Sequence, residues 1–149
     1  MRRVEQVRRA EARLRDAAGL PEVLDACFDA FELIRLIARE CDNHVPTLFA
    51  AFMMTADAAV DGREAVTVAP SLPLSRGGHG QGGMPVADVG IGEITDALSA
   101  LGTLLHDRLA GVPAQATTPA DRAACSEAAE AAERIRHLMA RDDHDGYVR

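Results

Sequence analysis

The sequence predicts an all-α protein, an antiparallel bundle of four or five helices that forms one domain over residues 1–149. Aromatic residues make up only 3% of the chain while Ala, Leu, Arg and Glu dominate, and this composition favours helices over strands. Apolar residues also recur at helical spacing, and segments with Gly and Pro separate the periodic stretches. Hydrophobic residues reach 48%, so the chain has enough of them to build a core.

The first two helices are predicted over residues 3–18 and 21–42. Gly19 ends the first helix, and Pro21 suits the first turn of the second, where its missing N–H costs nothing. The second helix is expected to be central because its apolar face is wide. That face contains Leu24, Cys27, Phe28, Phe31, Leu33, Ile34, Leu36, Ile37, Ala38 and Cys41.

The third helix is predicted over residues 45–60, after an interruption at "CDNHVP" where Pro46 breaks the helical hydrogen bonding. It is apolar on nearly all sides, so we expect it to be covered on several sides or to lie in an oligomer interface. Asp61 and Gly62 are predicted to end it, and "AVTVAP" (residues 65–70) is a candidate extended piece. The apolar residues are Leu48, Phe49, Phe52, Met53 and Met54.

The last two helices have the clearest signals. Residues 91–109 carry leucines and isoleucines at helical spacing. Thr118 is a strong N-cap for the fifth helix, with Pro119 and Asp121 in its first turn, and this helix is predicted to continue to about Arg141. Residues 142–149 are expected to form a frayed tail.

The stretch "SRGGHGQGGMP", residues 75–85, contains the spacing G-x-G-x-x-G at Gly78, Gly80 and Gly83. A dinucleotide-binding loop needs a strand before these glycines and a helix that begins within them, and the pattern here predicts neither. The chain has no Lys, which excludes a P-loop. His79 has no partner ligands among the neighbouring glycines, so it cannot hold a metal ion by itself. We therefore expect a flexible connector over about residues 66–90.

Two Glu/His pairs have the spacing i,i+4. Glu133 and His137 align with a solvated stripe and are expected on the surface. Glu40 and His44 border an apolar face at the Pro46 break, so they are either a polar cluster at a helix end or candidate catalytic groups. Di-metal bundles use Glu-x-x-His motifs, which are missing, so no metal and no cofactor are predicted.

An apolar ligand pocket is an alternative interpretation of Phe28, Phe31, Phe52 and Met53, although such residues more often form core. His106 extends a stripe of small and polar residues on the fourth helix. Small residues let another helix approach closely, so close packing is favoured there over a pocket lining. The stripe consists of Thr95, Ser99, Gly102 and Thr103.

Charge restricts the partners. The net charge of −7 argues against nucleic acid as a general partner. Residues 2–15 nevertheless hold six Arg against Glu5 and Glu11, which predicts contact with an acidic protein surface, including that of a second copy. The longest apolar run, residues 48–54, is too short to span a membrane.

Two functional hypotheses follow. The first is a cytoplasmic interaction or regulatory protein, a homodimer that uses the apolar third helix and the Arg-rich first helix. The second is a small enzyme or small-molecule-binding bundle, with an apolar pocket between helices two to four and Glu40 and His44 as its polar groups. The three cysteines (Cys27, Cys41 and Cys125) form no C-x-x-C pair and are expected to be reduced, buried thiols, which suits the cytoplasm.

Overall fold

The computed structural model describes residues 2–73, 90–111 and 118–140, and 86% of these are helical with no strand among them. The predicted all-α class is therefore confirmed. The glycine-containing stretch 75–85 and the tail 142–149 lie outside the described residues.

Within the described residues, five α-helices pack against one another, and a short 3₁₀ turn precedes the third. Their bounds are α1 Arg2–Asp16, α2 Leu20–Cys41, the 3₁₀ turn Pro46–Leu48, α3 Phe49–Thr67, α4 Ile91–Gly111 and α5 Pro119–Met139.

The helices form a ring in the order α1, α2, α3, α5, α4, and α4 closes it against α1. A smaller contact joins α2 to α4 across the ring. The α2 helix is the central element predicted, because most of its apolar side chains are buried. The largest fully buried apolar side chains are Leu14, Leu24, Phe31, Ile34, Ile37, Phe52, Ile94, Leu98, Leu101, Leu105 and Leu109.

The starts of α2 and α5 follow the predicted local chemistry. Gly19 precedes α2 with a φ of 87°, a left-handed conformation that glycine adopts without strain. At α5, the Thr118 side chain accepts a hydrogen bond from the Asp121 backbone N–H at 3.1 Å. This satisfies one of the free N–H groups at the helix start.

The predicted end of α3 at Asp61 and Gly62 is wrong, because the helix continues to Thr67. Gly62 lies inside the helix and is needed for packing: a Cβ atom there would lie 2.4–2.7 Å from the Phe31 ring. Glycine therefore lets α2 and α3 approach closely, and its role is not that of a helix stop. Residues 65–67 are helical, so the candidate extended piece is also wrong.

The small-residue stripe of α4 packs closely against α5, as predicted. A Cβ atom at Gly102 would lie 3.1 Å from the Ala132 carbonyl oxygen and 3.1 Å from the Arg136 nitrogen. Ser99 donates its hydroxyl hydrogen bond to the Arg136 carbonyl oxygen at 3.2 Å. The two backbones therefore meet at this stripe.

A buried carboxylate ties the chain that leaves α3 to the start of α5. Asp121 is fully buried and accepts hydrogen bonds from the Ser71 N–H at 3.0 Å and the Ser71 hydroxyl at 2.7 Å. Burial alone would raise the pKa of Asp121, but the hydrogen bonds from Ser71 and Thr118 outweigh it and lower that pKa.

Candidate functional site

Three large apolar side chains at the start of α3 point away from the bundle. Phe49 is 42% exposed, Met53 41% and Met54 55%, and we call them the α3 apolar face. Phe52, between them in sequence, is fully buried. The helix that the sequence shows as apolar nearly all round is thus covered by the bundle only on one side, and a cluster of exposed apolar side chains of this kind is typical of an interaction surface.

Acidic residues follow the α3 apolar face along the exposed side of the same helix. Asp57, Asp61 and Glu64 are all exposed. Asp61 accepts a hydrogen bond from Arg134 of α5 at 3.0 Å. The outer surface of α3 is therefore apolar in its first two turns. Beyond them it carries acids, of which Asp61 is paired with Arg134 and Glu64 with Arg63.

The arginines of α1 from Arg3 onward fall into two groups, and the first group binds α2. Arg3 is only 2% exposed and makes a two-pronged ion pair with Glu40. Arg13 pairs with both Asp25 and Asp29. These two arginines hold α1 on α2, so part of the predicted partner surface is used inside the molecule.

The second group of α1 charges faces solvent. Arg8, Arg9 and Arg15 are exposed, and they outnumber the exposed acids Glu5 and Asp16. The outer side of α1 is thus weakly basic, while that of α3 is acidic.

The predicted Glu40/His44 pair does not share a helical face, because α2 ends at Cys41. Glu40 is paired with Arg3. His44 is exposed in the turn after the helix, where its backbone N–H donates to the Cys41 carbonyl oxygen. Sequence spacing suggested the pair only if the helix continued past Asp42. The partner that the structure gives Glu40 lies 37 residues away in sequence.

The residues predicted for an apolar pocket occupy different surroundings. Phe31 and Phe52 are fully buried in the core, and Phe28 is half-buried against it. Met53 directly follows the buried Phe52 but is exposed, because successive helical residues lie about 100° apart around the helix axis. His106 is partly exposed on α4. The structure does not bring these five side chains together as one wall.

Glu133 and His137 are on the surface, as predicted, with 3.1 Å between His137 Nε2 and a carboxylate oxygen. A hydrogen bond from Arg136 lowers the pKa of Glu133 to about 2, and the nearby His106 and His137 act in the same direction. This is an exposed charge network across α4 and α5.

A surface cleft of about 410 Å³ lies where α1 meets α2, at a place that no sequence pattern indicated. Its walls are charged, but three of the groups are already engaged: Glu22 accepts from the Ala18 N–H at 2.9 Å, and Arg13 pairs with Asp25. The lining residues are Arg13, Asp16, Ala17, Glu22 and Asp25.

No family model, curated protein or solved structure matches this chain. Within the described segments, no three His, Cys, Asp or Glu side chains form a group suited to a metal ion. No helix among those segments combines the length and apolarity that crossing a bilayer requires.

Proposed function

We propose that this protein acts by protein–protein interaction and that its first partner is a second copy of the same chain, bound through the α3 apolar face. The observation that carries the proposal is the exposure of Phe49, Met53 and Met54 within two helical turns. Full burial of an exposed apolar side chain of this size contributes about 1.5–3 kcal/mol, and these three, each about half exposed, can gain about half of that on association.

The apolar character of this face supports a second copy as the occupant. A twofold axis beside the α3 apolar face places Phe49, Met53 and Met54 of each copy against the same residues of the other. The apolar side chains of one copy then cover those of its partner, and such an isologous contact closes on itself.

The test is the mass of the particle in solution, measured by size-exclusion chromatography with light scattering at micromolar concentrations. We expect twice the chain mass of 15.9 kDa for the natural protein and a single chain mass for Met54→Glu. Ala100→Glu is the matched control, because Ala100 is exposed on α4, outside the proposed contact. Circular dichroism checks that both variants remain helical.

A natural protein with the mass of one chain at every concentration would refute the homodimer. A dimer that persists in both Met54→Glu and Phe49→Glu would show that the contact lies elsewhere. A reducing compartment such as the cytoplasm suits the proposal, because Cys27, Cys41 and Cys125 are unpaired.

A further inference from the structure

The sulfur atoms of the described residues divide into two groups by exposure. The three cysteines and Met139 are fully buried. Met53 and Met54 are exposed, and both belong to the α3 apolar face. Among the sulfur atoms of the described residues, these two thioethers are therefore the most accessible to an oxidant in solution.

The buried thiols are also chemically protected. Burial raises the pKa of Cys41 to about 11, and it raises the pKa of Cys27 and Cys125 above the ordinary value as well. Oxidants attack the thiolate, which is scarce at neutral pH when the pKa is raised. The three thiols are thus poor targets for oxidation.

We propose that Met53 and Met54 are an oxidation site for peroxides and that their oxidation controls association through the α3 apolar face. Each thioether sulfur attacks one peroxide oxygen, the O–O bond breaks and an S–O bond forms. The sulfur loses two electrons, and hydrogen peroxide is reduced to water. The product is a methionine sulfoxide, which is polar where the thioether was apolar.

The control of association rests on the proposed function. Association through the α3 apolar face and oxidation of its methionines exclude each other. Association covers Met53 and Met54, whereas oxidation requires them to be accessible. The monomer is therefore the reactive species, and oxidation shifts the equilibrium toward it by mass action. The oxidation rate of these two residues should fall as the protein concentration rises.

The experiment treats the full chain with hydrogen peroxide at low protein concentration and follows each methionine by peptide mass mapping. We expect Met53 and Met54 to react at least about tenfold faster than the buried Met139. Light scattering on the oxidised protein should show that the dimer dissociation constant has risen at least about tenfold.

Met53→Leu/Met54→Leu is the control, because leucine keeps the apolar volume and cannot be oxidised. This variant should still dimerise, and peroxide should leave its dimer intact. If it dissociates with peroxide, another group is responsible and the proposed control is wrong.

Two further results separate the parts of the proposal. If Met53 and Met54 react no faster than Met139, the oxidation site is wrong. If they react while the natural dimer stays intact, the control is wrong. A natural protein that is already monomeric before oxidation would overturn the proposed function and the control with it, while peptide mapping still decides the oxidation site.

Discussion

The helices α1 and α3 lie on the two sides of α2, yet they differ in which side chains they leave exposed. In α1 the apolar side chains Val7 and Leu14 are buried and the outer surface is charged. In α3 the inner surface is also apolar, but Phe49, Met53 and Met54 are exposed in addition.

The difference separates two uses of apolar residues. Helix α1 has about as many apolar side chains as its neighbouring helices cover, so its composition is explained by the fold alone. Helix α3 has more than the bundle covers, and exposed apolar side chains do not stabilise the folded chain. The proposed contact with a second copy would cover this excess.

The largest effect should come from the ion pair that holds α1. Glu40→Ala removes the carboxylate that faces the buried guanidinium of Arg3, which keeps its hydrogen bond to Gln6. This should lower the free energy of unfolding by about 3 kcal/mol, the low end of the range for a broken buried ion pair. Urea denaturation followed by circular dichroism measures this loss. The double variant Arg3→Met/Glu40→Leu removes both charges and should recover most of the stability; a double variant as unstable as Glu40→Ala would show that the ion pair is not the cause.

The inner contact of α3 is tested at Gly62. Gly62→Ala forces a methyl group against the Phe31 ring, and overpacking of this kind costs about 1–3 kcal/mol. Thermal unfolding should show a lower midpoint for this variant. Phe31→Leu in the same chain creates room, so Gly62→Ala should cost much less in that background. Equal costs in both backgrounds would rule out the Phe31 contact as the reason for the glycine.

Asp121, which binds the segment that follows α3, should make the free energy of unfolding sensitive to acid. Its pKa is lowered in the folded protein, so the stability from its charged form is complete above the ordinary pKa of 3.8 and is lost as the pH falls through the lower folded value. Asp121→Asn should cost about 1–2 kcal/mol at neutral pH and should lose less stability on acidification below about pH 4. Urea denaturation over a pH series measures this, with Glu130→Gln on the exposed surface of α5 as control. Identical pH profiles for the natural protein and Asp121→Asn would contradict it.

The smallest effect should come from the outer ion pairs of α1. Arg13 is 43% exposed and pairs with Asp25 and Asp29. Exposed ion pairs contribute about 0.2–1 kcal/mol, so Arg13→Ala should cost no more than about 1 kcal/mol in low salt. Because salt screens such pairs, this difference should shrink in urea denaturation at high ionic strength. A cost that is independent of salt would point to lost packing of the arginine stem.

The fold class could be predicted because its signals are local. The stripe of leucines in α4 and the Thr118 cap of α5 depend only on residues within one helix, and both were placed correctly. The end of α3 could not, because Gly62 has a local preference for a helix stop and its actual role depends on Phe31, 31 residues earlier. The partner of Glu40 was missed for the same reason.

The candidate surface was predicted in part. The excess of apolar residues in α3 can be seen in the sequence, and the sequence also raised an oligomer interface as one explanation. Which of those residues are exposed depends on how α3 packs between α2 and α5. Only the structure shows that Phe52 is buried while Met53 is exposed.

The ring order has a consequence for how the chain folds. Helices α1, α2 and α3 are neighbours both in sequence and in the ring, as are α4 and α5, so each group can assemble from local contacts. Joining them requires distant contacts, such as the hydrogen bond from Arg108 to the Ala17 carbonyl oxygen across 91 residues. Distant contacts form slowly because loop closure costs entropy. We therefore expect the joining of the three-helix and two-helix units to set the folding rate.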